Sequence, residues 1–261
     1  MFIGKLHVTK NNKYKHMNEG SFFTILDTVD STNNYAMARI NAGLAKHGMV
    51  WFANEQTAGK GQRGKNWTSE KGTNIAMSLA LEPTKIKINS QFHLSAAVAL
   101  ACFEFLEKYI DGETKIKWPN DLFWRDRKAA GILIENKLQA QSWKWAVVGI
   151  GININQTVFD KSIANAVSLK QITGKTFNPV ELAKELSNLL MIKLNEASGL
   201  EETLQQYNRH LYKINELITL RKSGIKFDTV VKEVSAKGKL ITVDAFEREF
   251  DFGEVEWVLP R

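Results

Sequence analysis

The chain has 261 residues, 44% hydrophobic and 24% charged, the balance of a globular protein with room for one large domain and one small one. No apolar run approaches the roughly 20 residues of a membrane-spanning helix, and the N-terminal MFIGKLHVTKNNKYKHMNEG has no apolar h-region or small-residue cleavage site, so neither a membrane span nor secretion is expected. One cysteine, Cys102, leaves no disulfide or thiolate metal cluster and fits a reducing cytoplasm, and the net charge of +7 is scattered among acids, which favours a solvated basic surface over a nucleic-acid site.

In chain order, the β-like FFTILDT at 22–28 runs into VDSTNNYAMARINAGLA, where Asp30, Ser31 or Thr32 can cap a helix continuing to about residue 45. A second strand, GMVWFANEQ at 48–56, leads into a glycine loop, and TNIAMSLALE at 73–82 follows as a third, closed by Pro83. Residues 90–110 place Leu94, Val98, Ala101, Phe105 and Tyr109 on one face of a helix. Ala and Leu fill most of its remainder, so it reads as central, with Cys102 as a small buried apolar residue. Three short strands come next: KIKW, AGILIEN and WKWAVVGIGINI. Asn178 caps a helix with Pro179 at its first position and Glu181 three residues after the cap, and another helix covers 200–213. From Glu216 the pattern shortens to ELITLRK, KFDTVVKEV, KLITVDAF and EVEWVL, with SAKGK as a hairpin turn. The expected fold class is α/β (α+β), with a catalytic-sized unit over 1–214 and a small β-barrel over 215–261.

The glycine loop carries two familiar spellings. Gly59, Gly61 and Gly64 fit G-x-G-x-x-G, and the same stretch fits a P-loop up to Lys65. A P-loop needs a Ser or Thr next, whose hydroxyl ligates magnesium, and this chain has Asn66. Both motifs also need a helix whose first amides face the phosphates. Here NWTSEKGTN leads into a strand instead, and the connection to Glu82, where a ribose-binding acid would stand, has no helical period. Both spellings fail on context. Two readings stay open at this point: an anion-binding nest charged by Lys60, Arg63 and Lys65, or a basic hairpin tip without a ligand.

Five segments in order decide between them: DSTNNYA (30–36), EQTAGKGQRGKNW (55–67), KIKWPNDLFW (115–124), RKAAGILIE (127–135) and VVGIGININ (147–155). In order and spacing they resemble the biotin protein ligases, with KWPND beside GKGQRG the most specific pairing. GEVEW near the C-terminus resembles the end of that family's SH3-like domain, so the likeness spans nearly the whole chain from residue 22. It implies a mixed-sheet catalytic core like that of class II aminoacyl-tRNA synthetases and biotin ligases, followed by the small barrel. It also implies a two-step reaction: biotin and MgATP give biotinyl-5'-AMP and pyrophosphate, and a lysine of a biotin carboxyl carrier domain, such as that of acetyl-CoA carboxylase, then takes the biotin and releases AMP. Mg2+ is the implied cofactor. Two anions must meet in the first step, so cations are required around them.

Carried over residue by residue, the resemblance implies biotin contacts from Ser31, Thr32, Asn33, Gln56, Gly59, Lys60, Trp67, Lys117, Gly149 and Gly151. It implies ATP contacts from Gly61, Arg63, Gly64, Trp67, Asn120, Lys128 and Asn153, with Asp121 a candidate metal ligand. Lys117 is the cation expected at the carboxylate and α-phosphate, with Arg63 and Lys60 as further catalytic cations. Structural alternatives stand beside these roles: a plain helix cap for Ser31 and Thr32, a Pro-Asn-Asp turn for Asn120 and Asp121, a strand bulge for Gly149 and Gly151. The family most often reads Gly-Arg-Gly-Arg where this chain has Gly59-Lys60-Gly61-Gln62, so retention of the adenylate is expected to rest on Lys60, Arg63 and Lys117.

A lipoate ligase shares this chemistry, but its Arg-Arg-x-Ser-Gly-Gly loop is absent. A biotin-sensing repressor would carry an N-terminal helix-turn-helix, for which the residues before the first strand are too few and lack helical periodicity, so specific DNA binding is not expected. A homodimer is left open, as are the carrier's identity and a general base for transfer.

Overall fold

The computed structural model describes residues 22–259 except 85, 87–89, 140–141, 161–162, 164 and 197–198. The N-terminal stretch judged too short for a DNA-binding domain lies outside the described residues. Seven strands form the main sheet: β1 (Phe23–Val29), β2 (Val50–Gln56), β3 (Ile75–Leu81), β4 (Thr114–Lys117), β5 (Asp121–Trp124), β6 (Arg127–Gln139) and β7 (Ser142–Ile152). Their spatial order is β1-β2-β3-β7-β6-β5-β4. β1 runs parallel to β2, and all other neighbours are antiparallel. This is the mixed sheet expected from the sequence.

The two faces of this sheet differ because residue size alternates along its central strands. β3 reads Ile75-Ala76-Met77-Ser78-Leu79-Ala80-Leu81, and β7 ends Val148-Gly149-Ile150-Gly151-Ile152. Side chains alternate faces along a strand, so the large residues share one face and the small ones the other. The large face, with Ile75, Met77, Leu79, Val148, Ile150 and Ile152, packs in the main core with α2 (Gln91–Glu107) and α4 (Pro179–Asn195). On the small face α1 (Thr32–Asn41) buries Ala36 and Ile40 against Trp51, Ala80 and Val147. The remaining small positions leave room for a site.

Leu94, Val98, Ala101 and Phe105 of α2 are buried as its periodicity predicts, and burial pushes the Cys102 thiol up to about 12, which keeps it an inert apolar group. Asn178 accepts from the amides of Val180 and Glu181, so α4 starts where its cap and proline place it. Four boundaries depart from the expectation. α1 stops at Asn41 because Gly43 turns left-handed (φ 70°). The three short strands are four, since Arg125 (φ 52°) turns a hairpin between β5 and β6. A short α3 (Leu169–Thr173) appears, closed by a Ser168–Gln171 capping box and by Gly174 at φ 72°. The helix expected to reach 213 ends earlier, as α5 (Leu200–Arg209).

A second, antiparallel sheet holds β8 (Leu217–Lys222), β9 (Ile225–Val234), β10 (Leu240–Val243), β11 (Glu247–Phe250) and β12 (Glu256–Trp257), ordered β11-β10-β9-β8-β12. SAKGK forms the expected hairpin, with Gly238 N–H donating to Ser235 O at 2.8 Å. Leu220, Val231, Val234, Leu240 and Phe250 of this sheet belong to the same continuous core as the main sheet. Among the described residues no helix is long and apolar enough to cross a membrane.

Candidate functional site

The small face of the main sheet carries a narrow cavity of about 50 Å³ between the start of α1, the end of β2, the glycine loop, β6 and β7. Gly149 is glycine because any Cβ there would run into the Asn33 amide, and Gly151 because it would run into the Trp67 indole. Gly131, the register partner of Gly151 on β6, lies under the same ring, 3.1 Å from Cζ3 to where a Cβ would stand. These glycines line the cavity and sit in unshifted strand register, so they are not bulges. They let two side chains lie flat on the sheet.

Along β7 the cavity changes character over about 7 Å, two strand residues. Near Gly149 it is lined by hydroxyls and amides, with the Glu135 carboxylate behind Asn33. Thr32 donates to Gln56 Oε1 from both its amide (2.8 Å) and its hydroxyl (3.1 Å). Ser78 Oγ stands 2.8 Å from Thr32 Oγ1 and 2.6 Å from Asn33 Oδ1, and Asn33 Nδ2 donates to Glu135 at 2.8 Å. Ser31 occupies the N-cap position of α1, yet its side chain makes no capping bond, so its hydroxyl is left to the cavity that it lines. Near Gly151 and Gly131 the cavity turns cationic. Lys128 Nζ lies 5.7 Å from the Trp67 ring centre and 2.7 Å from Asp121 Oδ1, and Asn120 is held by donation to Ile132 O at 2.7 Å.

The glycine loop closes over this surface as a tight hairpin. Lys60 and Asn66 form an antiparallel bridge, and Gly61 N–H donates to Lys65 O at 2.7 Å. Gly59 accommodates the Trp67 carbonyl and the Gln56 amide, and Gly64 (φ 73°) completes the turn in open space. Lys60, Gly61 and Gln62 line the cavity, and Lys60 also reaches Glu135 at 3.4 Å, a partly exposed pair worth little stability. Gln62 Oε1 and Trp67 Nε1 are buried there without a hydrogen-bond partner, the costly condition that a bound polar ligand relieves.

Six expected site residues stand outside the lining: Gly59 and Gly64 within the loop, Asp121 beside Lys128, and Lys117, Asn153 and Arg63. Lys117 does not line the cavity: its ammonium sits 5.3 Å from the Phe123 ring centre and 5.2 Å from that of Trp257. Burial pushes it down to about 8, opposed by the Asp121 carboxylate and reinforced by Lys128 and Lys65. The cations that line the cavity are Lys128 and Lys60. Asn153 is buried and spends its amide donors on Lys128 O (3.3 Å) and Val167 O (3.2 Å), so it fixes backbone below the cavity. Arg63 is also absent from the lining, on an exposed left-handed residue (φ 54°).

Ser78 and Glu135 are the polar residues that sequence reasoning missed. Ser78 is the one hydroxyl in the small-face register of β3, and Glu135 follows Gly131 and Leu133 on the site-facing side of β6. A larger cavity of about 590 Å³ lies by Leu81, His93 and Leu200 at the far end of β3, but it borders undescribed residues and has no comparable convergence of small strand positions.

Residues 25–153 match the Biotin/lipoate A/B protein ligase family. The chain is 30% identical over 229 residues to the Bifunctional ligase/repressor BirA of Escherichia coli (strain K12), covering 85% of this chain and 70% of the relative. It is 34% identical over 143 residues to the Biotin--[acetyl-CoA-carboxylase] ligase of Mycobacterium tuberculosis, 52% of each chain. Its fold superposes on the Aquifex aeolicus biotin protein ligase solved with biotin and ATP at a TM-score of 0.76, with 26% identity, over 92% of this chain and 100% of that one. With the mixed sheet and the cavity on its small face, this likeness along most of both chains means that the chain belongs to the biotin protein ligase family.

Proposed function

We propose that the protein activates biotin with MgATP to biotinyl-5'-AMP and then transfers biotin to a lysine of a biotin carboxyl carrier domain. The observation that carries this reading is the polarity of the cavity, uncharged hydroxyls and amides at Gly149 and a lysine at Gly131. A ureido ring offers two N–H donors and one carbonyl, and Ser31, Thr32 and Gln56 supply neutral partners for it. A valeryl chain running toward Trp67 brings its carboxylate to Lys128, and the α-phosphate meets it there.

In the first step a carboxylate oxygen bonds to the α-phosphorus as the α–β bridging bond breaks and pyrophosphate leaves. Lys128 lowers the repulsion between the two anions, with Asn120 beside it and Lys60 at the loop. Magnesium arrives with the nucleotide. Asp121, already 2.7 Å from Lys128, is the carboxylate at that end and orients the lysine. In the second step the acceptor amine attacks the anhydride carbonyl and AMP leaves. The loop keeps water out meanwhile. The cavity is far smaller than the roughly 300 Å³ of an ordinary ligand site, so Trp67 and the loop swing aside to admit substrates. Residues up to 214 act as the catalytic unit and 215–261 as an appended SH3-like unit.

The test adds labelled biotin, MgATP and a carrier domain to the purified protein. Label on the carrier lysine, dependent on all three, is expected. Lipoate offers an apolar dithiolane that would leave the Thr32–Gln56 end unpaired, and its transfer in place of biotin would defeat the proposal. A homodimer and sequence-specific DNA binding are separate questions. Sedimentation answers the first, and a gel shift that survives physiological salt would establish the second.

A further inference from the structure

The tip of the glycine loop faces two ways. Gly61 and Gln62 line the cavity, whereas Arg63 takes a left-handed backbone conformation (φ 54°) and lays its guanidinium on the second sheet. The landing point is Gly253, in the turn between β11 and β12, where a Cβ would stand 2.8 Å from Arg63 Cζ and 2.9 Å from its Nε. Gly253 is itself left-handed (φ 82°), so its backbone conformation and its lack of a side chain both suit the contact. The turn is anchored to the catalytic unit. Phe252 meets Trp118 edge-on with ring centroids 6.4 Å apart, and Trp118 Nε1 donates to Gly238 O at 2.9 Å. Loop tip, turn and the KWPND segment thus form one chain of contacts.

Resting on the ligase reading above, we infer that Arg63 and Gly253 are positioning residues. The second sheet provides a seat for the loop tip, keeps Gln62 turned inward, and so sets how long the adenylate is held before the acceptor lysine arrives. Arg63 holds the intermediate through the seat and not by touching its phosphate.

The test measures free biotinyl-adenylate released per adenylate formed, in the full chain, for wild type, Arg63→Ala, Gly253→Ala and the double variant. Each single change is expected to raise the released fraction about threefold or more, and the double variant no further than either single, because coupled residues are non-additive. Released fractions that multiply in the double variant, or that stay at the wild-type value, overturn the seat. Biotin-dependent pyrophosphate release by the wild type tests the ligase reading separately. Hydrogen exchange over residues 59–66 reads the seat without chemistry. Faster exchange in folded Arg63→Ala supports it, unchanged exchange overturns it, and this arm decides should Gly253→Ala fail to fold.

Discussion

Lys117 and Lys128 carry the same charge into different surroundings. Lys128 stands at the cavity beside Asp121 and over the edge of Trp67, whereas Lys117 is enclosed by Phe123 and Trp257. Lys128→Met is therefore expected to lower kcat/KM for adenylation by about 10²-fold, the usual loss for one preorganised group on developing charge, while biotin binding weakens much less. Pyrophosphate release and calorimetry separate the two effects, and equal losses in both would move Lys128 out of the phosphate end. Lys117→Met has a different signature. Burial lowers the folded-state pKa of Lys117 to about 8, below its ordinary 10.5, so the unfolded chain holds more protons between those values. Stability then rises with pH across that window through this group. Urea unfolding from pH 7.5 to 10 is expected to show that rise in the wild type relative to Lys117→Met, and parallel pH profiles would refute it. The motif KWPND reaches the cavity through Asn120, but which of the two lysines, Lys117 or Lys128, lines it was not legible. That depends on strand register and on the β5–β6 irregularity at Leu122/Phe123, which lets Lys128 reach back to Asp121.

At the scale of elements, the site follows from residue size along β3, β6 and β7. The strands and the buried helix α2 were readable because alternation and helical period are local signals. The partition of large and small residues between the faces was equally present in Ile75–Leu81 and Val148–Ile152, and Ser78 is found by following it. What local signals could not give is why Gly149 and Gly151 are glycine, since Asn33 and Trp67 arrive from distant segments. The consequence is specific. Gly151→Val drives a branched side chain into the Trp67 indole and lifts the ring from the sheet. Overpacking of this kind costs about 1–3 kcal/mol, more than the better strand propensity of valine returns, so the melting temperature is expected to fall by a few degrees while biotin affinity of the folded variant falls at least about tenfold, or about 1.4 kcal/mol. Titration calorimetry with a thermal melt checks it, and undiminished biotin binding would show that Trp67 does not wall the pocket. Asn153 illustrates the opposite case. Its motif GININ was legible, but its hydrogen bonds to Lys128 O and Val167 O make it a brace for the backbone that carries Lys128.

For the molecule as a whole, the change of pattern near residue 215 marks the start of the second sheet, but the sequence pattern suggests two independent parts where the core is continuous. Leu220, Val231, Val234, Leu240, Phe250 and Val255 lie in one cluster with the interior of the main sheet, and they are buried to 6% exposure or less. Polar ties cross at the same place. Val234 N–H donates to Asn208 Oδ1 at 2.8 Å, Asn208 Nδ2 returns to Val234 O at 3.0 Å, and Trp118 Nε1 reaches Gly238 O. A shared core of this kind makes separate unfolding unfavourable, because releasing the second sheet exposes apolar surface on both sides at about 25 cal/mol per Å². The full chain is therefore expected to unfold in one cooperative transition, with the calorimetric and van't Hoff enthalpies equal. Near-ultraviolet dichroism and intrinsic tryptophan fluorescence should share its midpoint, since Trp118 and Trp257 both lie where the two sheets meet. Two resolved transitions, or a fluorescence midpoint well below the dichroism midpoint, would mean that the second sheet detaches first and that its hold on the glycine loop is lost before the catalytic unit melts.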